Sequence, residues 1–319
     1  MKKYPIDQEF WPFSRLSAPM YRPVLMLANA ILKKPSRRIF RDKEIDASVV
    51  EVCGYMNGKI ELVILKPKNC AEKLPCLLYC HGGGFVMREA FVQYDLLCEY
   101  VKRTNCIGIM VRYRLAPRYP YPIPVEDCYA AFEWVTGHAE ELNIDINRIG
   151  VGGESAGGNI AAVIAQMVRD RKGEKLLFQM LVYPVTDRRM QTNSMRAFTD
   201  TPMWNAELNC KMWKLYLKDE PKHIAYASPM EAEFLEGLPP AYVETAEFDC
   251  LRDEGIAYAQ RLSVCGVQTE LNGTKGTMHG FEIRMRACAT QKSIAKRVEY
   301  MKKMFEKGGA ADAHPNHTK

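Results

Sequence analysis

Ser155 stands inside GVGGESAGGN (150–159), where five glycines sit between two apolar runs. Such a run can be a plain turn, a backbone cradle for phosphates, or a sharp bend that presents a nucleophile. Residues 153–157 read G-x-S-x-G, with a short apolar strand before them and an alanine-rich helical stretch after, which is the context a nucleophile elbow requires. The rival dinucleotide reading, Gly150-x-Gly152-x-x-Ser155, lacks its third glycine and lies behind several earlier elements. A second constellation, His81-Gly82-Gly83-Gly84-Phe85, directly follows the apolar run CLLYC at 76–80. Three consecutive glycines carry a large unfolded-state entropy. They make sense where backbone N–H groups must turn towards a developing negative charge.

A serine hydroxyl is a weak nucleophile without a base to take its proton. The chain has six histidines. His81 belongs to the glycine loop, His138 ends a helical stretch, His223 lies in a polar segment, and His314 and His317 are in the tail. That leaves His279, in TMHGF, expected after a strand and a loop over 272–276. The base in turn needs a carboxylate to orient it and to stabilise its imidazolium form. Glu247, Asp249, Asp253 and Glu254 all follow the strand-like AYVET and compete on spacing. Asp253 could equally charge-stabilise the helix after it. Spacing favours Asp249 but does not decide the matter.

The elements that must hold these residues alternate. Two β-rich runs flank Asn57-Gly58, a hairpin signal. From residue 75 onward, strands at 76–80, 106–111, 148–151, 178–182, 241–245 and 267–271 alternate with helical stretches at 124–138 and 159–170. That alternation predicts a mostly parallel sheet with helices on both faces. The pattern breaks over 187–226, a Met-, Trp- and Lys-rich segment expected to lie over the sheet as a helical insertion.

Composition narrows the class. A chain of 319 residues with 47% hydrophobic side chains can bury a full core. The net charge of +6 is scattered, and short clusters such as Lys33-Lys34, Arg37-Arg38 and Lys302-Lys303 read as solvated helix faces, not a nucleic-acid stripe. Eleven cysteines form no CxxC pair, and Cys53, Cys80, Cys106, Cys128 and Cys250 are expected to pack as small hydrophobes. No run approaches the roughly 20 apolar residues of a membrane span. No secretory leader is apparent, so the expected setting is the cytoplasm.

With HGGGF, Tyr113-Arg114-Leu115-Ala116-Pro117, Asp127, GESAGGN, DCLRDEG and HGF in this order over roughly residues 75–285, the chain resembles the hormone-sensitive-lipase-like serine esterases, the bacterial family IV type of the α/β-hydrolase superfamily. The resemblance implies an α/β-hydrolase fold with a helical cap. It implies Ser155 as nucleophile, Asp249 as acid and His279 as base, with an oxyanion hole from the N–H groups of Gly83, Gly84 and Ala156. Cys250 stands where that family usually has proline, and Glu154 where aspartate or threonine is commoner, a change expected to leave the chemistry alone. The implied domain division is cap segments at 1–45 and 187–225, a catalytic domain at 46–186 and 226–307, and a disordered tail at 308–319. The cap is expected to line the pocket with Met203, Trp204, Trp213 and Phe85, an apolar lining that suits short- to medium-chain acyl esters. Neither cofactor nor metal is expected. The expected partner is a small ester; neither nucleic acid nor stable membrane insertion is, and a homodimer is left open. An amidase or deacetylase would use the same triad, and an inactive binding protein on this fold would be expected to have lost part of it.

Overall fold

The computed structural model describes residues 3–68, 70 and 72–312; His314 and His317 lie outside them. Eight strands form one sheet in the order β1-β2-β4-β3-β5-β6-β7-β8. They are β1 (Ile45–Cys53), β2 (Lys59–Pro67), β3 (Leu74–Cys80), β4 (Ile107–Arg112), β5 (Ile144–Glu154), β6 (Phe178–Val182), β7 (Ala241–Phe248) and β8 (Thr269–Met278). β1 pairs antiparallel with β2, and β2 antiparallel with β4; every later pairing is parallel. The helices are α1 (Arg22–Ile31), α2 (Phe91–Thr104), α3 (Ile123–Gly137), α4 (Ala139–Leu142), α5 (Ala156–Asp170), α6 (Asn193–Ala197), α7 (Ala206–Tyr216), α8 (Arg252–Val264) and α9 (Cys288–Asp312).

The apolar runs became central strands because both faces of the sheet are covered. Along β3, Cys76, Leu78 and Cys80 pack with Val151 and Ile160 on one side. Leu77 and Tyr79 pack with Phe178 and Met301 on the other. The Asn57-Gly58 signal marks a hairpin as expected, with Cys53 opposite Lys59. The residues that take positive φ are Met56 and Asn57, so the turn sits one residue earlier than the dipeptide suggests.

Two expectations about chain ends and loops change. Residues 272–276, expected as a loop, continue β8, because Asn272, Gly273 and Thr274 stay in register with Glu244, Thr245 and Ala246 of β7. The last helix runs through Asp312, past residue 308 where the disordered tail was expected to begin. Of the cysteines expected to be buried, Cys53 is exposed, since it lies at the end of the edge strand β1. Among the described residues, no helix is long and apolar enough to cross a membrane.

The N-terminal segment and the 187–225 insertion meet above the carboxyl ends of the strands. Ala18 donates its N–H to the carbonyl of Met203, and Met203 donates to Leu16, at 3.0 and 2.6 Å. Asp200 accepts from Lys3 Nζ at 2.6 Å and from the Tyr4 hydroxyl at 2.5 Å. Part of the N-terminal stretch serves the sheet instead: Phe10 is fully buried, with its ring 6.3 Å from that of Phe281.

Candidate functional site

β5 ends at Glu154 and α5 begins at Ala156, so the reversal falls on Ser155 alone, at φ 58° and ψ −121°. That is a left-handed conformation uncommon for a residue with a side chain. It is held because the Ser155 N–H donates to the Val182 carbonyl at 2.9 Å while its own carbonyl accepts from Val185 at 3.1 Å. The flanking glycines are required by contact. A Cβ on Gly157 would lie 1.9 Å from the carbonyl oxygen of Cys80, and one on Gly153 would lie 2.3 Å from the same atom. Gly150 and Gly152 lie inside β5, so the rival dinucleotide fingerprint has no loop with which to hold a phosphate.

His279 follows the last residue of β8 and comes to the elbow from 124 residues away in sequence, its Nε2 2.9 Å from Ser155 Oγ. Its Nδ1 lies 2.7 Å from Asp249 Oδ2. A carboxylate can only accept, so Nδ1 carries the ring proton and Nε2 is left to accept from the serine hydroxyl. Asp249 is fully buried, and its Oδ1 accepts the Leu251 N–H at 3.0 Å.

The four competing acids separate by what they touch. Glu247 accepts the Gly276 N–H at 2.7 Å and braces β8. Asp253 accepts the Ser194 N–H at 2.7 Å and ties α6 to the start of α8. Glu254 accepts from Thr186 and Asp187, at 2.6 and 3.3 Å. Burial pushes its carboxyl well above the usual carboxylate range. Asp249 is the one hydrogen-bonded to His279. The other histidines have other neighbours: His81 stacks on Tyr113 at 4.2 Å, where burial lowers its pKa, and His138 stacks on Trp134 at 4.3 Å.

The glycine loop lies beside the elbow. Gly83 has φ +113° and Gly84 φ +59°. A Cβ on Gly83 would be strained by that conformation and would stand 2.6 Å from the Met87 carbonyl. The N–H groups of Gly83 and Gly84 have no protein acceptor among the described residues. The Ala156 N–H, at the first position of α5, has no partner within the helix. Three open donors thus belong to the two segments that border Ser155.

Glu154 has a part in the site that its position in the motif did not suggest. It is buried, and its Oε1 accepts the Gly82 N–H at 2.6 Å together with a hydrogen bond from Gln93 Nε2. Burial raises its carboxyl pKa. It therefore ties the glycine loop to the elbow, and Gln93 carried no signal in the sequence. Tyr183 and Glu282 were also missed. The Tyr183 ring lies 4.6 Å from that of His279, and its hydroxyl donates to Glu282 at 2.5 Å. Glu282 is held in turn by the fully buried Arg297 at 2.5 Å. The HGF motif hinted at nothing beyond its histidine because these contacts join the turn after β6 to α9.

A cavity of about 410 Å³ opens onto Ser155 and His279, with Gly82 to Gly84, Met203 and Trp204 in its wall. Met203 and Trp204, two of the four residues expected in a pocket wall, line it. Phe85 and Trp213 do not line this cavity. Phe85 takes a positive φ of 60°. Its ring stacks on Tyr216 at 3.7 Å, with Trp213 beside it at 6.4 Å. Phe85 packs against α7, to which Trp213 and Tyr216 belong. Tyr113 and Arg114–Asp127 are structural as well: the Tyr113 hydroxyl donates to the His81 carbonyl at 2.7 Å. Arg114 grips Asp127 from Nε at 2.8 Å and Nη2 at 2.6 Å.

The chain is similar to known proteins along the same lines. Residues 77–283 match the family described as the alpha/beta hydrolase fold. Esterase LipI of Mycobacterium tuberculosis is 38% identical over 228 residues, covering 70% of this chain and 71% of that protein. Carboxylesterase NlhH of the same organism is 37% identical over 220 residues, covering 67% and 69%. Among solved structures, a bacterial heroin esterase superposes with a TM-score of 0.85 at 34% identity, covering 94% of this chain and 98% of that one.

Proposed function

The chain belongs to the α/β hydrolase fold family, in its hormone-sensitive-lipase-like branch, and on that premise we propose that it is a serine carboxylesterase acting on small acyl esters. The observation that carries this reading is the hydrogen-bonded chain from Ser155 Oγ to His279 Nε2 at 2.9 Å and from His279 Nδ1 to Asp249 at 2.7 Å. His279 takes the serine proton as Oγ attacks the ester carbonyl, and Asp249 stabilises the imidazolium that forms. The carbonyl oxygen becomes an oxyanion held by the N–H groups of Gly83, Gly84 and Ala156, each worth on the order of 2.7–4 kcal/mol in the transition state. His279 then returns the proton to the departing alkoxide, which leaves as the alcohol. Water, deprotonated by the same imidazole, attacks the acyl carbonyl, and His279 returns that proton to Ser155 Oγ as the acid leaves. Every proton is accounted for within the three residues and the water, and the scheme calls for no cofactor.

A cavity of about 410 Å³ is at the small end of ligand sites. With Met203 and Trp204 in its wall it fits short- to medium-chain acyl groups. The 187–225 segment and the part of the N-terminal segment that carries Ala18 and Leu32 act as its cap, and the eleven free cysteines fit a reducing cytoplasm. The test is hydrolysis of p-nitrophenyl esters from acetate to decanoate by the parent and by Ser155→Ala. Activity should peak at the shorter chains and vanish in the variant; undiminished turnover by Ser155→Ala overturns the mechanism. An amidase would use the same groups, and faster cleavage of an anilide than of the matching ester would favour it.

A further inference from the structure

Residues 14–41 contain seven Lys and Arg side chains and no Asp or Glu. Within them α1 turns Leu25 into the protein against Val86 and Ala116. Asn29 faces the same way: its Nδ2 donates to the Val86 carbonyl at 2.8 Å, and its Oδ1 accepts the Arg88 N–H at 2.9 Å. That is the only polar side chain of the helix after Arg22. From Pro23 onward the outward face is therefore apolar. Val24, Met26, Leu27 and Ile31 are 48–66% exposed, and Tyr21 just before the helix is 71% exposed. A helix face without polar side chains belongs in an apolar medium, yet among the described residues nothing covers this one. Around it, Arg15, Arg22, Lys33, Lys34, Arg37 and Arg41 make no ion pair among the described residues, whereas Arg38 reaches Asp95 at 3.8 Å. The helix also borders the cavity, since Ala18 and Leu32 on either side of it are in the cavity wall.

We propose that α1 is a docking face for an anionic lipid–water interface, with the apolar stripe entering the headgroup boundary and the surrounding cations meeting lipid phosphates. The positive charge without any acid selects an anionic surface over a second copy of this chain, whose own α1 would bring like charges together. The pairing of apolar face and basic flanks is what interfacial helices use. Docked this way, the wall residues Ala18 and Leu32 bring the cavity beside the layer in which apolar esters concentrate. The inference is independent of the chemistry at Ser155, because binding can be read without turnover.

The experiment is co-sedimentation of the full chain with vesicles of phosphatidylcholine alone and of phosphatidylcholine with phosphatidylglycerol at about 2:1. Each cation near such a surface contributes about fivefold in partitioning. The protein should bind the anionic vesicles and not the neutral ones. Lys33→Glu with Lys34→Glu should weaken partitioning on the order of 25-fold or more, and Leu27→Glu with Ile31→Glu should abolish it. Far-ultraviolet circular dichroism and hydrolysis of a soluble ester should stay at parent values in both, as these side chains point to solvent. Failure to bind anionic vesicles, binding indifferent to both pairs of substitutions, or a parent dimer that Leu27→Glu with Ile31→Glu turns into monomers would overturn the proposal.

Discussion

Replacing Asp249 with asparagine changes one atom, and the surroundings of that atom set the consequence. The carboxylate now serves two donors, His279 Nδ1 at 2.7 Å and the Leu251 N–H at 3.0 Å. Asparagine has a single oxygen, and the site is fully buried, away from bulk water that would take the second place. If the oxygen stays with Leu251, the amide NH₂ faces Nδ1 and the imidazole must carry its proton on Nε2. Nε2 then donates towards Ser155 Oγ and cannot act as a base. If the amide flips, its NH₂ opposes the Leu251 N–H, leaving buried donors unpaired at about 1–3 kcal/mol. Only about one molecule in 5 to one in 150 is then in the productive orientation. A neutral oxygen also stabilises an imidazolium less than a carboxylate does, by about 1–2 kcal/mol, a further factor of about 5–30. Together these give an expected fall in kcat of about 25- to 4,500-fold, the upper end approaching the effect of this change in other triads, with KM little altered. Asp253→Asn is the control: its oxygen can still accept the Ser194 N–H, so kcat should stay within about threefold while the melting temperature falls slightly. Steady-state hydrolysis of p-nitrophenyl acetate, with thermal unfolding of each variant, decides the matter. An Asp249→Asn enzyme within about tenfold of the parent, or an Asp253→Asn enzyme equally impaired at an unchanged melting temperature, would refute the reasoning.

Gly157→Ala would drive a Cβ to 1.9 Å from the Cys80 carbonyl; because both partners are backbone, a loss of about 3 kcal/mol or more is expected, visible in a denaturant midpoint. Glu254 has a folded-state pKa well above its ordinary value of 4.5, so the native state binds its proton more tightly than the unfolded chain does. Its contribution is fully present below the unfolded pKa and is lost as pH rises through the folded one. Glu254→Gln keeps an acceptor for Thr186 and Asp187, so parent stability relative to the variant should decline steadily as urea midpoints are taken from acid to alkaline pH; a constant difference would contradict this. Trp204→Ala removes part of the cavity wall, and should move the optimum of the p-nitrophenyl series to longer chains at a cost of about 3–5 kcal/mol in stability.

Much of the catalytic scaffold was legible in the chain because it rests on local rules. Apolar runs at 76–80 and 178–182 are strands because each is short, bounded by turn-formers and buried on both faces. The run at 178–182 agrees with β6 residue for residue. The alternation of such runs with helical stretches dictates a parallel sheet whatever the detailed packing. Local pattern was weaker at the edge of the sheet: the Asn-Gly-Thr-Lys-Gly stretch at 272–276 has loop composition, yet hydrogen bonding to β7 holds it extended. Backbone pairing outweighed side-chain preference there.

The motif around Ser155 and the one histidine left by elimination were determined by the sequence itself, since a tight strand-to-helix reversal and a free base demand those residue types. Spacing left Glu247, Asp249, Asp253 and Glu254 open, because four acids within eight positions differ only in which neighbour each meets; the family resemblance implied Asp249, and it is Asp249 that the fold hydrogen-bonds to His279. The same holds for the cavity wall. Phe85 and Trp213 have the composition of pocket residues but pack on Tyr216, and Glu154, which looked inert, reaches Gly82 across 72 residues of sequence. Tertiary structure decided these points because burial and partner are properties of the space around a side chain, and that space is built by segments far apart in the chain.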